Sequence, residues 1–396
     1  MFHPAAVPFI NRKLFIAVIF ILTFGLLNAA EQPSDTSAVS ATKGWRSIGL
    51  VSKVIDYLHE TNKHELSRRP DFSFLAGPYY TSEKGAGLGL IAAGDYSTCP
   101  TDSLLPVSNV SLTGELATND YYSVGINGVH IFPNNTRRIN YNVDFVSFST
   151  YFWGVGYKMN SNDANETSYN LFDISLTADY EWQLWRNAFF GPAVEVSYTN
   201  ARDVDDKALW GDADMEYPTV SAGIIFQSDT RDNLTAPKLG HLFEFKQLFS
   251  PRFLGNGDNS FSITELSYNI YKSLWQGATI AGRIHGSWSY GDTPWSKLPI
   301  LGEDAMRGYY EGRYRDKCAT DVTVELRQHV YRRSGVVVWG GVGTVYDKLS
   351  EIRFERLLPE IGVGYRWEFK RNTNIRLDIG FGKHSSGFQI GVNEAF

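Results

Sequence analysis

The chain has 396 residues, 20% of them charged, and a formal net charge of −6. So modest a negative balance gives no basis for nucleic-acid binding. Two cysteines, Cys99 and Cys318, are too few for a disulfide-scaffold class, whereas 22 Tyr, 25 Phe and 10 Trp make the chain unusually aromatic.

The N-terminus reads as a secretory signal peptide. Arg12 and Lys13 form the positive region, Leu14 to Leu27 the apolar core, and Asn28-Ala29-Ala30 the small residues at a cleavage site. The apolar run falls short of the roughly 20 residues that a membrane-spanning helix needs. Residues 1–30 are therefore assigned as signal peptide. Residues 31–70 form a periplasmic segment in which Ile48, Val51, Val54, Ile55 and Leu58 recur at helical spacing. That spacing predicts one short amphipathic helix from Trp45 to Thr61. Its polar face is mixed in charge, which favours packing at a barrel mouth over a partner-binding or membrane-surface helix.

From about Asp71 the period becomes two. Phe172, Ile174, Leu176, Ala178, Tyr180 and Trp182 alternate with Asp173, Ser175, Thr177, Asp179 and Glu181. Ile139 to Phe145, Ile361 to Phe369 and Ile375 to Phe381 alternate in the same way. About 17 such segments of roughly ten residues follow one another without a helix, which matches the strand length of outer-membrane barrels. In lipid every backbone group must be paired, so the sheet is expected to close, with an even strand number. The expected fold is all-β: a 16-stranded antiparallel transmembrane β-barrel over 71–396, with Phe72 to Tyr80 a lead-in or a short first strand.

Long connections near 97–106, 160–169, 199–216, 250–259, 290–317 and 346–357 are expected on the extracellular side, and tight turns such as Trp185-Arg186-Asn187 on the periplasmic side. This map puts Cys99 and Cys318 at the same, extracellular end, which permits a disulfide without requiring one. The 290–317 connection carries Leu301-Gly302-Glu303-Asp304-Ala305-Met306-Arg307-Gly308-Tyr309-Tyr310-Glu311-Gly312-Arg313-Tyr314-Arg315-Asp316. So charged a loop between half-apolar strands reads as one folded into the lumen and held by its arginine.

Met306-Arg307-Gly308-Tyr309, followed by Gly312-Arg313-Tyr314-Arg315-Asp316, resembles the loop-six signature of the bacterial surface antigen superfamily of outer-membrane barrels, which includes BamA and TamA. Asp229-Thr230-Arg231-Asp232-Asn233 with Pro237 and Gly240, Gly362-Val363-Gly364-Tyr365-Arg366, and Arg376 to Gly382 resemble further parts of the same barrel, over about 85 to 396. The resemblance implies that Arg307, with Gly308 and Tyr309, reaches acids on the lumen wall. A guanidinium suits that role because its planar fork engages carboxylates through paired hydrogen bonds. Alternation places Glu325, Arg327, Arg376 and Asp378 in the lumen, so Glu325 and Asp378 are the candidate partners. The aspartate usual on the strand after Glu325 is replaced by Gly341, in Trp339-Gly340-Gly341-Val342-Gly343. Phe396 matches the terminal aromatic of the strand insertion signal. Only about 40 mature residues precede the strands, too few for the family's periplasmic domains, so the chain resembles a barrel-only branch.

No Gly-x-Ser-x-Gly, His-Glu-x-x-His or Cys-x-x-Cys is present. The lumen-facing side of the strand that carries His329 offers no serine or cysteine nucleophile, and Gly85, Gly87 and Gly89 precede no helix that could cradle phosphate. The expectation is a non-enzymatic protein of the Gram-negative outer membrane, without metal or cofactor. Its expected partners are outer-membrane lipid, the barrel assembly machinery that inserts it, and a separate periplasmic subunit; nucleic acid is not among them. Two functions follow: assistance in moving protein or lipid into or across the membrane, or a structural or passive-pore barrel plugged by the 290–317 loop. Gly85, Gly87 and Gly89 near the first strand and Gly380, Gly382, Gly387 and Gly391 near the last serve either a weakly paired seam or barrel curvature and packing in the lumen.

Overall fold

The computed structural model describes residues 67–396, apart from 82–83, 103–104, 119, 303–305 and 371. The expected signal peptide and the helix from Trp45 to Thr61 lie outside the described residues. Among the described residues sixteen strands form one sheet in sequence order, from β1 (Asp71–Thr81) to β16 (Ser385–Val392), each antiparallel to its chain neighbours. The segment expected as a lead-in or a short first strand is a full first strand, paired in unbroken register with β2 (Gly85–Tyr96) from Asp71↔Asp95 to Thr81↔Gly85.

Alternation sets the two faces. Along β12 (Cys318–Tyr331) Asp321, Thr323, Glu325 and Arg327 are buried inward while Val322 and Val324 are exposed outward. On β6 (Thr167–Trp185) Ile174, Leu176 and Trp182 lie outside and Glu181 is fully buried inside. The outward residues form an apolar belt that includes Leu88, Val124, Ile224, Val338 and Ile361, the last 67% exposed. A continuous apolar belt of this kind suits lipid rather than water. Aromatic residues flank it: Trp185, Phe226 and Phe243 form a chain of ring contacts at 5.9 and 6.1 Å near one rim.

Strand parity fixes the two ends. Odd strands run from the end holding both β1's start and β16's finish, the termini end, toward the opposite, loop end. The connections after β5 (Arg137–Phe152), β7 (Ala188–Arg202), β11 (Ala278–Gly291) and β13 (Ser334–Tyr346) are long and lie at the loop end. The long 97–107 connection follows β2 and therefore lies at the termini end. This corrects the expected map: Cys99 follows β2 at one end, Cys318 opens β12 at the other, and both thiols are free. The map failed because it read orientation from loop length, whereas a meander assigns ends by counting strands.

The expected full closure also differs from the structure. β1 and β16 lie side by side, but among the described residues no backbone ladder joins them. β16 is only 8 residues long, and at Asn393 (φ 68°) the chain turns away from the sheet edge. Its last residues are thereby withdrawn from pairing.

Candidate functional site

Loop 292–317 folds back on itself before it enters the lumen. Ile300 and Arg315 form an antiparallel bridge, and Leu301 N donates to Tyr314 O at 2.9 Å. Leu301, Met306, Tyr309 and Tyr314 then pack with Ala319, Val345 and Leu358 of the wall. Arg313 and Arg315 tie the loop to the neighbouring 153–166 connection: Arg313 Nε donates to Asn160 O at 3.1 Å and Arg315 N to Asn160 Oδ1 at 2.9 Å. Burial between Phe152 and Trp295 pushes the Arg315 guanidinium below its ordinary pKa.

This scaffold delivers Arg307 to the wall. Arg307 Nη2 donates to Glu325 Oε2 at 2.5 Å and Nη1 to Asp378 Oδ2 at 2.7 Å, with all three side chains fully buried. One fork thus joins β12 to β15 (Thr373–Gly382), two strands that are not adjacent in the sheet. The guanidinium also lies over Trp339, 3.6 Å from the ring centroid, a cation–π contact that suits a desolvated arginine.

The ion pairs continue. Glu325 Oε1 accepts from Arg327 Nε at 2.7 Å, and Asp378 takes Arg366 Nη1 at 2.6 Å and Nη2 at 3.3 Å. Glu394, beyond the end of β16, accepts from Arg366 Nε at 2.8 Å and lies 3.6 Å from Arg327 Nε. The circuit closes: Arg307, Glu325, Arg327, Glu394, Arg366, Asp378 and back to Arg307. Three guanidiniums alternate with three carboxylates, so the ring is neutral. That balance is what allows such charges to be buried at all. Burial opposes ionisation of Glu394, yet Arg366 and Arg327 hold its carboxyl below the ordinary value of 4.5.

Gly308 and Tyr309 lie beside this ring. Gly308 N donates to Glu360 Oε2 at 2.7 Å, and Trp339 Nε1 donates to Glu360 Oε1 at 2.9 Å. Tyr309 OH donates to Pro359 O at 2.6 Å and accepts from Lys383 N at 2.9 Å. Gly341 stands opposite Glu360 in the β13–β14 ladder, β14 being Leu358–Lys370. The acid absent at Gly341 is matched by one on the adjacent strand, aimed at the loop backbone rather than at the guanidinium.

The wall under the loop is glycine. A Cβ on Gly380 would come within 2.6 Å of Gly308 N, one on Gly382 within 2.5 Å of the Tyr309 ring, and one on Gly387 would collide with the Arg307 carbonyl oxygen. Lumen packing accounts for all three. Gly391 is similarly required by Arg376, whose guanidinium occupies the space of a Cβ.

The remaining candidates are placed as follows. Phe396 lies past β16, with its ring 5.5 Å from the Arg327 guanidinium and its oxygen accepting from Arg327 Nη2 at 2.8 Å. His329 Nε2 lies 2.6 Å from Arg332 O at the β12–β13 turn. Asp229 pairs with Arg231 and with Arg138 of β5, and Asn233 caps the amides of Thr235 and Ala236. Sequence reasoning missed Trp339, Glu360, Arg366 and Glu394 as members of the site. Alternation already assigns Glu360 and Arg366 to the lumen, but nothing in their own segment names the partner.

No protein-family profile matches the chain, and no curated protein matches it in sequence. Solved structures do. BamA from Haemophilus ducreyi lacking POTRA domains 1–3 aligns over 93% of this chain and 81% of its own, with a TM-score of 0.52 and 11% identity. CdiB from Escherichia coli aligns over 85% of this chain and 69% of its own, with a TM-score of 0.50 and 10% identity. At such identity the likeness is one of fold: an all-β, antiparallel, BamA-like barrel.

Proposed function

We propose that this is a non-enzymatic Gram-negative outer-membrane barrel of the bacterial surface antigen type that assists movement of protein or lipid into or across the membrane. The observation that carries the reading is one arrangement: a lumen loop locked through Arg307 to β12 and β15, beside a first and last strand that adjoin without a ladder. An unpaired seam next to a fixed plug leaves the sheet edge free to accept a strand or to part laterally. On this reading the loop end faces outward and the termini end faces the periplasm, where a separate subunit brings the cargo. The barrel itself is inserted by the barrel assembly machinery. A disulfide engineered between facing positions of β1 and β16 tests the seam. Loss of activity that returns on reduction supports it; full activity in the oxidised form rejects it.

The glycine-lined bay under the loop favours a second reading, a structural barrel whose loop is a permanent plug. Planar-bilayer conductance separates the two. A wild-type barrel that stays closed while Arg307→Ala conducts, in a protein whose seam can be locked without effect, is a plugged pore.

A further inference from the structure

At the termini end of the lumen, residues 393–396 are held as a bound peptide would be. The chain leaves the sheet at Asn393 through a left-handed backbone conformation, φ 68°, that asparagine tolerates. Main-chain groups are then read one by one. Asn393 N donates to Asn374 O at 2.6 Å, Glu394 N to Thr235 O at 3.2 Å, and the Phe396 oxygen accepts from Arg327 Nη2 at 2.8 Å. The Glu394 carboxylate takes Arg366 Nε at 2.8 Å and Asn374 Nδ2 at 2.6 Å, and the Phe396 ring lies against the Arg327 guanidinium.

The wall is incomplete without this segment. Arg307, Arg327 and Arg366 face only Glu325 and Asp378 among the other members of the ring, so removing Glu394 leaves one buried guanidinium charge unbalanced. An unbalanced buried charge is costly, and whatever fills the site must bring a carboxylate. We propose that Arg327 and Arg366 form a receptor for a short acidic peptide at this mouth, filled here by residues 393–396 and open to an acidic segment of a partner protein that displaces them. Arg366 also holds Asp378, which holds Arg307, so the occupant of the receptor is wired directly to the plug. The inference stands apart from the transport reading, since it concerns binding alone.

A fluorescent Asn-Glu-Ala-Phe peptide, added to detergent-folded protein, tests it by anisotropy. A variant ending at Val392 should bind the peptide saturably, and an Asn-Gln-Ala-Phe peptide at least about tenfold more weakly, as expected for losing one charge-assisted contact. Full-length protein at the same concentrations should bind neither, because its own segment has the higher effective concentration. Heat-modifiable migration on gels establishes that each variant is folded. If the shortened chain does not fold, full-length Glu394→Gln takes its place, and its weakened segment should admit the Glu peptide. Folded protein that binds both peptides alike, or neither, overturns the proposal.

Discussion

Glu360 stands directly across the β13–β14 ladder from Gly341, and its carboxylate caps Gly308 N at 2.7 Å. The wall under the loop has room for one acid at this height, because a Cβ on Gly341 would already lie 2.8 Å from Thr323 Oγ1 and 3.4 Å from Glu360 Cγ. Glu360→Ala strips both Gly308 N and Trp339 Nε1 of their acceptor, at about 1–3 kcal/mol for each buried donor. Gly341→Asp alone adds a crowded like charge and should also destabilise. The double variant Gly341→Asp, Glu360→Gly should be more stable than the sum of the two predicts. Urea unfolding in detergent as a double-mutant cycle measures the coupling; strict additivity would contradict the shared position.

Arg307→Ala leaves Glu325 and Asp378 each short of a partner and should cost about 3–5 kcal/mol, the range for breaking a buried ion pair. Arg307→Lys should recover little, because one ammonium cannot reach two carboxylates in the geometry of a fork. Unfolding midpoints of the three proteins test this; equal rescue by lysine would argue against a bidentate role.

Gly380→Ala and Gly387→Ala should expel the loop while leaving the strands paired, since each new methyl meets loop backbone. Gly114→Ala is the control, with nothing within 4 Å of its Cβ. Protease added from the loop side should cleave within 292–317 in the first two variants only. Protection equal to wild type in all three would remove the steric account of the bay.

Acid should free the C-terminal segment. The folded carboxyl of Glu394 is held below its ordinary value of 4.5, so its contribution is complete above that value and disappears as pH falls through the lowered one. A spin label at Ala395→Cys, placed in a background free of Cys99 and Cys318, should sharpen on acidification. The same label with Glu394→Gln should be mobile at every pH; a pH response that survives the substitution would assign the titration to another group.

Cys99 and Cys318 should remain unbridged under oxidising conditions. Thiol titration of unfolded protein prepared without reductant should find both thiols free. In the folded protein Cys99, partly exposed, should react with maleimide faster than the buried Cys318. A non-reducing gel showing an intramolecular bridge would contradict their placement at opposite ends.

The sequence alone determined the faces. A period of two states which residues of a strand share a side, so the lumen orientation of Glu325, Arg327, Arg366 and Asp378 was legible residue by residue, as was the charged loop that must find partners among them. It did not determine the ends or the circuit. Which rim Cys99 reaches relative to Cys318 depends on the parity of the strands between them, and nine strands, an odd number, put the two at opposite ends. The ion ring depends on curvature: Arg307, Glu325, Arg366, Asp378 and Glu394 are scattered over nearly ninety residues, and only the rolling of β12 to β16 around the loop brings their charges within hydrogen-bonding distance. Local pattern is set by backbone geometry and can be read from neighbours in sequence, whereas charge pairing in a low-dielectric lumen is set by the curved sheet and exists only once the strands have assembled.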